Sequence, residues 1–148
     1  MYKHILVPTD GSTLSLKAAK TAAGLAKSIK AKITGVYVMA PFNPPMTAEG
    51  VVYHQAYSSR DYETGMRRNA DKALAKVKAA AEGAKVSFDA VAVFHMNPWE
   101  AIIKTAGNKK CDVIVMASHG RRGLAGLLLG SETQKVLTHS KVPVLVCR

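Results

Sequence analysis

The 148-residue sequence predicts an α/β fold: a three-layer, Rossmann-like sandwich in which a five-stranded, mostly parallel sheet carries helices on both faces. Short apolar runs alternate with longer amphipathic segments along the chain, as expected when helical crossovers join parallel strands. Hydrophobic residues make up 48% of the chain and charged residues 21%, which is an ordinary globular composition. No internal repeat or low-complexity segment interrupts the alternation. We therefore expect one domain over residues 1–148, with strand order 3-2-1-4-5.

The first half of the chain predicts two buried strands joined by a helix. The run HILVPTD leads into a Pro-Thr-Asp-Gly-Ser turn and predicts the first strand, and KITGVYVM, residues 32–39, predicts the second. Between them Ser12 or Thr13 is placed to cap a helix. The apolar residues of that helix recur at helical spacing: Ala18, Ala22, Leu25 and Ile29. Residues 40–60 contain three prolines and no clear period, and connections of this length are commonly functional lids or mobile segments.

The second half predicts three further helices and three further strands. A long helix ends at Gly83, and its apolar stripe comprises Met66, Ala70, Ala73, Leu74, Val77 and Ala81. The runs KVSFDAVAVF, DVIVMAS and VPVLVCR predict the third, fourth and fifth strands. In NPWEAIIKTAG a helix is expected to begin with Asn97 as cap, Pro98 at its first position and Glu100 completing a capping box. The last helix, residues 130–140, lies between the fourth and fifth strands.

The chain is strongly basic, with a net charge of +11. Between residues 101 and 148, eight Lys and Arg residues face only Asp112 and Glu132, so part of the excess lies in this third of the chain. A charge of this size suits nucleic acid, an acidic membrane surface or an anionic small ligand, and it is equally compatible with a merely solvated basic surface.

The remaining composition argues against several classes of protein. Cys111 and Cys147 lie in or beside predicted strands without CxxC spacing, so we interpret them as small buried residues rather than metal or redox groups. The five histidines are scattered and lack metal-ligand spacing. No apolar run approaches the roughly 18–20 residues of a membrane span, and the first residues lack a signal-peptide pattern. These patterns predict a cytoplasmic protein without a membrane association or a metal site built from side chains alone.

Two unusual segments follow strand ends: PTDGS after the first strand and ASHGRRG after the fourth. In doubly wound folds, ligands bind at the carboxyl ends of the strands where the strand order reverses, and strands one and four are neighbours there. Gly120 permits backbone conformations that strain other residues. Gly130 and Ser131 offer amides to an anion at a helix N-terminus. Asp10 is placed to accept hydrogen bonds from a ribose, so together these residues predict a nucleotide site.

Each of these residues also has a plainer interpretation. Asp10 could be only a turn former or helix cap, Gly130 and Ser131 could form an ordinary cap, and Arg121 and Arg122 could simply be solvated. The spacing excludes two common phosphate loops, because the chain has no GxxxxGK[ST] and no GxGxxG after its first strand.

Over nearly its full length the sequence resembles the universal stress protein family. The ATP-binding members of that family carry G-x2-G-x9-G-[S/T] between the fourth strand and the last helix. Here ASHG, nine residues and then GS match that motif, with Gly120, Gly130 and Ser131 in register. The opening ILVPTDGS, the strand end VYVM and the closing PVLVCR also look like the family. One position departs, since Ala117 replaces the first glycine of the motif, and its methyl group would crowd the sugar and phosphates.

The resemblance implies a homodimeric cytoplasmic regulator of the stress response that binds ATP or AMP, with Mg²⁺ held through the phosphates. It implies that Asp10 contacts ribose, that the Val38 backbone helps hold adenine and that Met116 lines the adenine pocket. The phosphate-binding group is Gly120, Gly130, Ser131 and the amide of Glu132. Neighbouring site residues are Pro8, Thr9, Ala117, Ser118, His119 and Thr133, and we add Arg121 and Arg122 from their charge.

The resemblance also implies a dimer through the last strand, Val142–Arg148, an apolar strand at a sheet edge. A protein partner is expected but not identified. Two other functions compete with a regulatory nucleotide-binding module. A slow ATP hydrolase or related hydrolase or transferase would use His119 or Asp10 as base, although no base with an orienting partner is evident. A binder of nucleic acid or an acidic partner would use the +11 charge, but a nucleic-acid binder would need a reading helix or aromatic platform, which the sequence lacks.

Overall fold

The computed structural model describes residues 1–43, 59–120 and 129–148. Strands and helices alternate along the chain as the sequence predicts. The strands are β1 (His4–Pro8), β2 (Lys32–Met39), β3 (Phe88–Phe94), β4 (Val113–Ala117) and β5 (Val144–Cys147). The helices are α1 (Thr13–Ile29), α2 (Ser59–Gly83), α3 (Pro98–Asn108) and α4 (Ser131–His139). Most of the predicted lid, residues 44–58, lies outside the described residues.

The five strands form one sheet of order β3-β2-β1-β4-β5, which confirms the predicted order. Every neighbouring pair is parallel, so the sheet is wholly rather than mostly parallel. At its centre Leu6 of β1 pairs with Thr34 of β2 on one side and Ile114 of β4 on the other. The strand order reverses between β1 and β4, and the carboxyl ends of these two strands therefore lie side by side.

Both faces of the sheet are covered, which explains why the central strands are apolar at nearly every position. Alternate residues of β1 enter different core clusters. Ile5 and Val7 pack with the alanines of α1 and with Val77 of α2, whereas Leu6 packs with residues of α3 and α4. The stripe of alanines on α1 is buried and lets this helix lie close to the sheet. None of the described helices is long and apolar enough to cross a membrane.

The helix ends confirm two sequence predictions and correct one. Ser12 is the N-cap of α1, and its hydroxyl accepts a hydrogen bond from the Ser15 amide at 3.2 Å. Asn97 occupies the N-cap position of α3 but makes no side-chain cap, because its amide nitrogen donates instead to Glu100 Oε1 at 2.9 Å. The predicted capping box is therefore wrong. Helix α2 does end at Gly83, but the left-handed residue beyond it is Lys85, with φ of 59°.

Candidate functional site

The turn after β1 holds the Asp10 carboxylate in place. Asp10 Oδ1 accepts a hydrogen bond from the Ser12 amide at 3.0 Å. Thr9 Oγ1 accepts one from the Gly11 amide at 3.1 Å and lies 3.0 Å from Ser15 Oγ. Gly11 has φ of 81°, a conformation that favours glycine. Pro8 and Thr9 are buried while Asp10 is half-buried, so the turn presents one carboxylate at the carboxyl edge of the sheet.

The segment after β4 is fixed at both of its described ends. The Ser118 amide donates to the Cys147 carbonyl at 2.7 Å, and the Gly130 amide donates to the Ser118 carbonyl at 2.7 Å. Thr133 Oγ1 donates to the Ala117 carbonyl at 2.9 Å in a buried contact. The first turn of α4 is thereby attached to the last residues of β4. Arg121 and Arg122, predicted at the phosphates, lie outside the described residues.

Two glycines allow the loops after β1 and β4 to approach each other and the start of α4. A Cβ added to Gly120 would lie 2.8 Å from Asp10 Oδ2. A Cβ added to Gly130 would lie 3.3 Å from both His119 Cα and the Ser118 carbonyl oxygen. Among the described glycines only Gly11 has a positive φ, so the predicted need for unusual backbone freedom at Gly120 is wrong. Glycine is favoured at position 120 instead because the Asp10 carboxylate occupies the space of a side chain and would have to move to admit one.

Helix α4 directs its N-terminus toward this pair of loops. Gly130 is its N-cap, and Ser131 and Glu132 are its first residues. Amides in the first turn of an α-helix have no acceptor within the helix, and the helix dipole adds partial positive charge there. We call this arrangement the switch-point site and define it by Asp10, residues 118–120 and residues 130–133. It combines a carboxylate that can accept from hydroxyl groups with amides that favour an anion.

The Glu132 carboxylate has a structural role that the sequence did not indicate. Glu132 Oε2 accepts a hydrogen bond from the Trp99 amide at 2.9 Å and therefore caps α3 from another helix. Glu132 Oε1 lies 3.4 Å from Lys135 Nζ. The side chain is thus engaged at the start of α3, while the main-chain amide of Glu132 belongs to the first turn of α4.

Val38 and Met116, the residues implied for adenine, lie on the same face of the sheet. Met116 is a buried member of the cluster that also contains Leu6 and Val36, and the half-buried Val38 packs against that cluster. Ala117 is the last residue of β4 and is 7% exposed, so its methyl group lies in a confined position.

His119 is the unusual side chain of this region. Its Nδ1 lies 3.0 Å from Ser118 Oγ, and its buried Nε2 has no hydrogen-bond partner among the described residues. A catalytic Ser–His pair needs an accessible nucleophile and a third group that orients the imidazole. Ser118 is only 2% exposed and the described residues supply no orienting group. The pair is therefore not arranged for nucleophilic catalysis.

Side-chain metal ligands do not assemble in the described ranges, where no group of three or more His, Cys, Asp or Glu residues could hold a metal ion. The fold and the switch-point site together define a doubly wound α/β protein with a candidate anion-binding site at the strand-order reversal.

The chain belongs to the universal stress protein family, whose family model matches residues 1–148. It is 36% identical over 152 residues to universal stress protein MJ0531 of Methanocaldococcus jannaschii, an alignment that covers 100% of this chain and 83% of the relative. It is 30% identical over 151 residues to universal stress protein YxiE of Bacillus subtilis, with 100% of both chains covered.

Solved structures agree with this assignment. Protein MJ0577 superposes with a TM-score of 0.78 at 28% identity, covering 99% of this chain and 95% of the other. A universal stress protein in complex with cAMP gives a TM-score of 0.73 at 26% identity, covering 99% and 97%. The Archaeoglobus fulgidus universal stress protein in complex with dAMP, at 16% identity and a TM-score of 0.65 over 99% and 98% of the chains, shares the fold.

Proposed function

We propose that this universal stress protein binds an adenine nucleotide, ATP or AMP, at the switch-point site and acts as a regulatory protein of the stress response. The observation that carries the proposal is the convergence of the Asp10 carboxylate, the side-chain-free Gly120 and the N-terminus of α4 at one point of the sheet edge. The cAMP complex of a relative that is 26% identical supports an adenine nucleotide as the ligand class.

Each part of a nucleotide has a matching group in this proposal. The Asp10 carboxylate accepts hydrogen bonds from the ribose hydroxyls. The amides of Gly120, Ser131 and Glu132 bind the phosphates, as expected of first-turn and loop amides. The fourth donor expected from the sequence is excluded, because the Gly130 amide donates to the Ser118 carbonyl, and Gly130 contributes a side-chain-free N-cap instead. Val38 and Met116 flank the adenine. Mg²⁺ enters only with the phosphates, because the described residues provide no cluster of their own for a metal.

Further residues support this geometry. Thr9 braces the turn after β1, and Thr133 attaches α4 to the Ala117 carbonyl. Pro8, Ser118 and His119 complete the two loops. We assign Arg121 and Arg122 to the phosphates on their charge.

Calorimetric titration with ATP, AMP and adenosine tests the proposal. Asp10→Ala should weaken ATP and adenosine alike, by about tenfold, since both carry the ribose. Replacing Arg121 and Arg122 with Ala should weaken ATP more than adenosine, and less so at high salt. Asp71→Ala, which removes an exposed carboxylate from α2, is the control and should change neither affinity. A wild-type protein that binds neither nucleotide would refute the proposal.

We also propose that the protein acts as a cytoplasmic homodimer joined through Val142–Arg148. Strand β5 pairs only with β4 within the described chain, and its other edge is available for pairing. Leu145 is 42% exposed on this strand, whereas Val144 and Val146 are half-buried within the chain itself. Leu145→Lys should therefore give monomers in sedimentation experiments. Met96→Lys, at an exposed apolar residue elsewhere, should leave the dimer intact, and a dimer that survives Leu145→Lys would place the interface on another surface.

A further inference from the structure

At the amino-terminal edge of the sheet, opposite the switch-point site, four lysines line one open depression of about 410 Å³. Lys27 and Lys30 come from the end of α1, Lys32 begins β2, and Lys85 follows α2. All four side chains are exposed. The depression is separated from the switch-point site by the length of the strands, about 15 Å for the five residues of β1. Both places can therefore be occupied at once.

The backbone holds these lysines at fixed positions. Lys30 has φ of 56° after α1, and Lys85 has φ of 59° after α2. In each case the amide of the residue after the lysine donates a hydrogen bond that closes the last turn of the helix. The Ala31 amide donates to the Ala26 carbonyl at 2.9 Å, and the Val86 amide donates to the Ala81 carbonyl at 2.9 Å. This is the Schellman arrangement, here with lysine in place of the usual glycine. The ends of α1 and α2 are thus rigid, while the ammonium groups remain free to move.

No acidic side chain of the described residues forms an ion pair with any of the four lysines. The nearby carboxylates are engaged elsewhere. Glu82 pairs with Lys78 at 3.7 Å and Asp89 pairs with Lys109 at 2.8 Å. Asp112 accepts the backbone amides of residues 3 and 4 at 2.8 and 3.0 Å. The positive charge of the depression is therefore not neutralised by the described part of the chain.

The floor of the depression is apolar and small, formed by Ala26, Ala31, Ala84 and Val86. Ala84 is half-buried and the other three are buried. No arginine or aromatic residue lines the depression, and α1 and α2 direct carbonyl ends rather than amides toward it. The depression therefore lacks the arginine forks that give a phosphate bidentate contacts and the aromatic rings on which single-stranded nucleic acid stacks. Mobile ammonium groups around an apolar floor suit a flexible chain that carries several carboxylates and one small apolar side chain.

We propose that this lysine depression docks an acidic segment of a partner protein, with one apolar side chain on the floor and carboxylates on Lys27, Lys30, Lys32 and Lys85. The proposal does not depend on nucleotide binding, because the two sites share no residue.

Fluorescence anisotropy with a labelled short peptide of Glu and Asp with one central leucine tests this docking. Replacing all four lysines with Gln should weaken the peptide by at least about tenfold, and the affinity of the wild type should fall as salt rises. The control replaces Lys17, Lys20, Lys72 and Lys76 with Gln. These are exposed lysines of α1 and α2 that do not line the depression, so the control lowers the net charge equally. We expect less than about threefold weakening in the control, since only long-range attraction is lost.

Two further comparisons separate the partner classes. A matched peptide with serine in place of leucine should bind more weakly, and Ala84→Gln, which fills the floor without adding charge, should abolish that difference. Inorganic polyphosphate of equal charge should bind more weakly than the leucine peptide. Equal weakening in both quadruple variants, equal binding of the two peptides, or tighter binding of polyphosphate would each overturn the proposal. Unchanged ATP affinity in the depression variant would show that this result is independent of the nucleotide site.

Discussion

Replacing Gly120 with alanine tests directly whether the Asp10 carboxylate and the loop after β4 form one site. The new methyl group would lie 2.8 Å from Asp10 Oδ2 and 3.8 Å from its Cγ. Because Gly120 does not have a positive φ, alanine fits the backbone there without strain. Any cost of the substitution must therefore come from the carboxylate, which has to withdraw by about 0.6 Å to restore an ordinary 3.4 Å contact.

The size of the effect depends in part on the hydrogen bond between the Asp10 carboxylate and the Ser12 amide. Asp10 Oδ1 accepts from the Ser12 amide at 3.0 Å, and a hydrogen bond to a charged group contributes about 1.5–3 kcal/mol. Partial loss of it should cost about 1 kcal/mol, against which alanine gains about 0.5 kcal/mol by restricting the unfolded chain. We expect a net loss of about 0.5 kcal/mol in the free energy of unfolding. ATP affinity should fall by about tenfold, because the carboxylate no longer reaches the ribose.

Urea denaturation followed by the fluorescence of Trp99, the single tryptophan, measures the first quantity and calorimetry with ATP the second. In an Asp10→Ala background the contact is gone, so Gly120→Ala should become stabilising by about 0.5 kcal/mol, a reversal of sign. Gly24→Ala is the control. It lies within α1, nothing lies within 4 Å of its added Cβ, and it should stabilise by about 1 kcal/mol. If Gly120→Ala destabilises equally in both backgrounds, the contact with Asp10 is not its cause.

Three further predictions concern single positions. Lys110 has φ of 55°, a conformation that glycine adopts more readily than alanine. Lys110→Gly should therefore raise the free energy of unfolding by about 1 kcal/mol relative to Lys110→Ala. Equal urea midpoints for the two variants would contradict this. Burial lowers the pKa of His4 from its ordinary 6.5, and its Nε2 lies 2.8 Å from Thr34 Oγ1. The contribution of His4 to the free energy of unfolding is therefore present above about pH 6.5 and is lost as pH falls through the folded pKa. His4→Gln should lose less stability between about pH 7.5 and 5.5 than the wild type. Urea denaturation at both pH values measures the difference. Ala117→Gly should leave ATP affinity unchanged or improve it by up to about tenfold, and Ala117→Val should weaken it severely in calorimetry; equal binding by the Ala and Val forms would remove the nucleotide from this loop.

Local patterns in the sequence were enough to predict the fold. The apolar runs of the central strands reflect coverage on both faces, and the cap at Ser12 depends on a residue three positions away. The failures occurred where a distant residue competes. The predicted capping box is absent because the Asn97 side-chain amide donates to Glu100, and the Trp99 amide is capped by Glu132, thirty-three residues beyond Trp99. A pattern of local spacing along the chain cannot predict this contact between Trp99 and Glu132.

The position of the candidate site was predictable from the sequence, but the physical reason for the glycine at position 120 was not. Strand order and two glycine-containing loops were enough to place Asp10 near Gly120, and the structure brings them together. The reason for glycine was nevertheless wrong, since the close contact with Asp10 and not the φ angle favours glycine there. The lysine depression was not predictable, because it forms only when the turns after α1 and α2 become neighbours. Its charge also lies outside residues 101–148, where the sequence suggested a concentration.

The two ends of the sheet differ in how they could recognise an anion. This difference bears on which partner the net charge of +11 serves. In the described part of the switch-point site the charged side chains are the acidic Asp10 and Glu132, and the donors are backbone amides and a helix N-terminus. Backbone donors bind phosphate through fixed hydrogen bonds, and salt screens these only weakly at contact distance. Mobile, exposed lysines attract an anion over a longer distance, and salt screens that attraction strongly. Phosphate binding at the carboxyl edge therefore does not require the lysine excess. Four of the 21 lysine and arginine residues surround the apolar floor of the depression instead, and we assign these four to a protein partner rather than to the nucleotide.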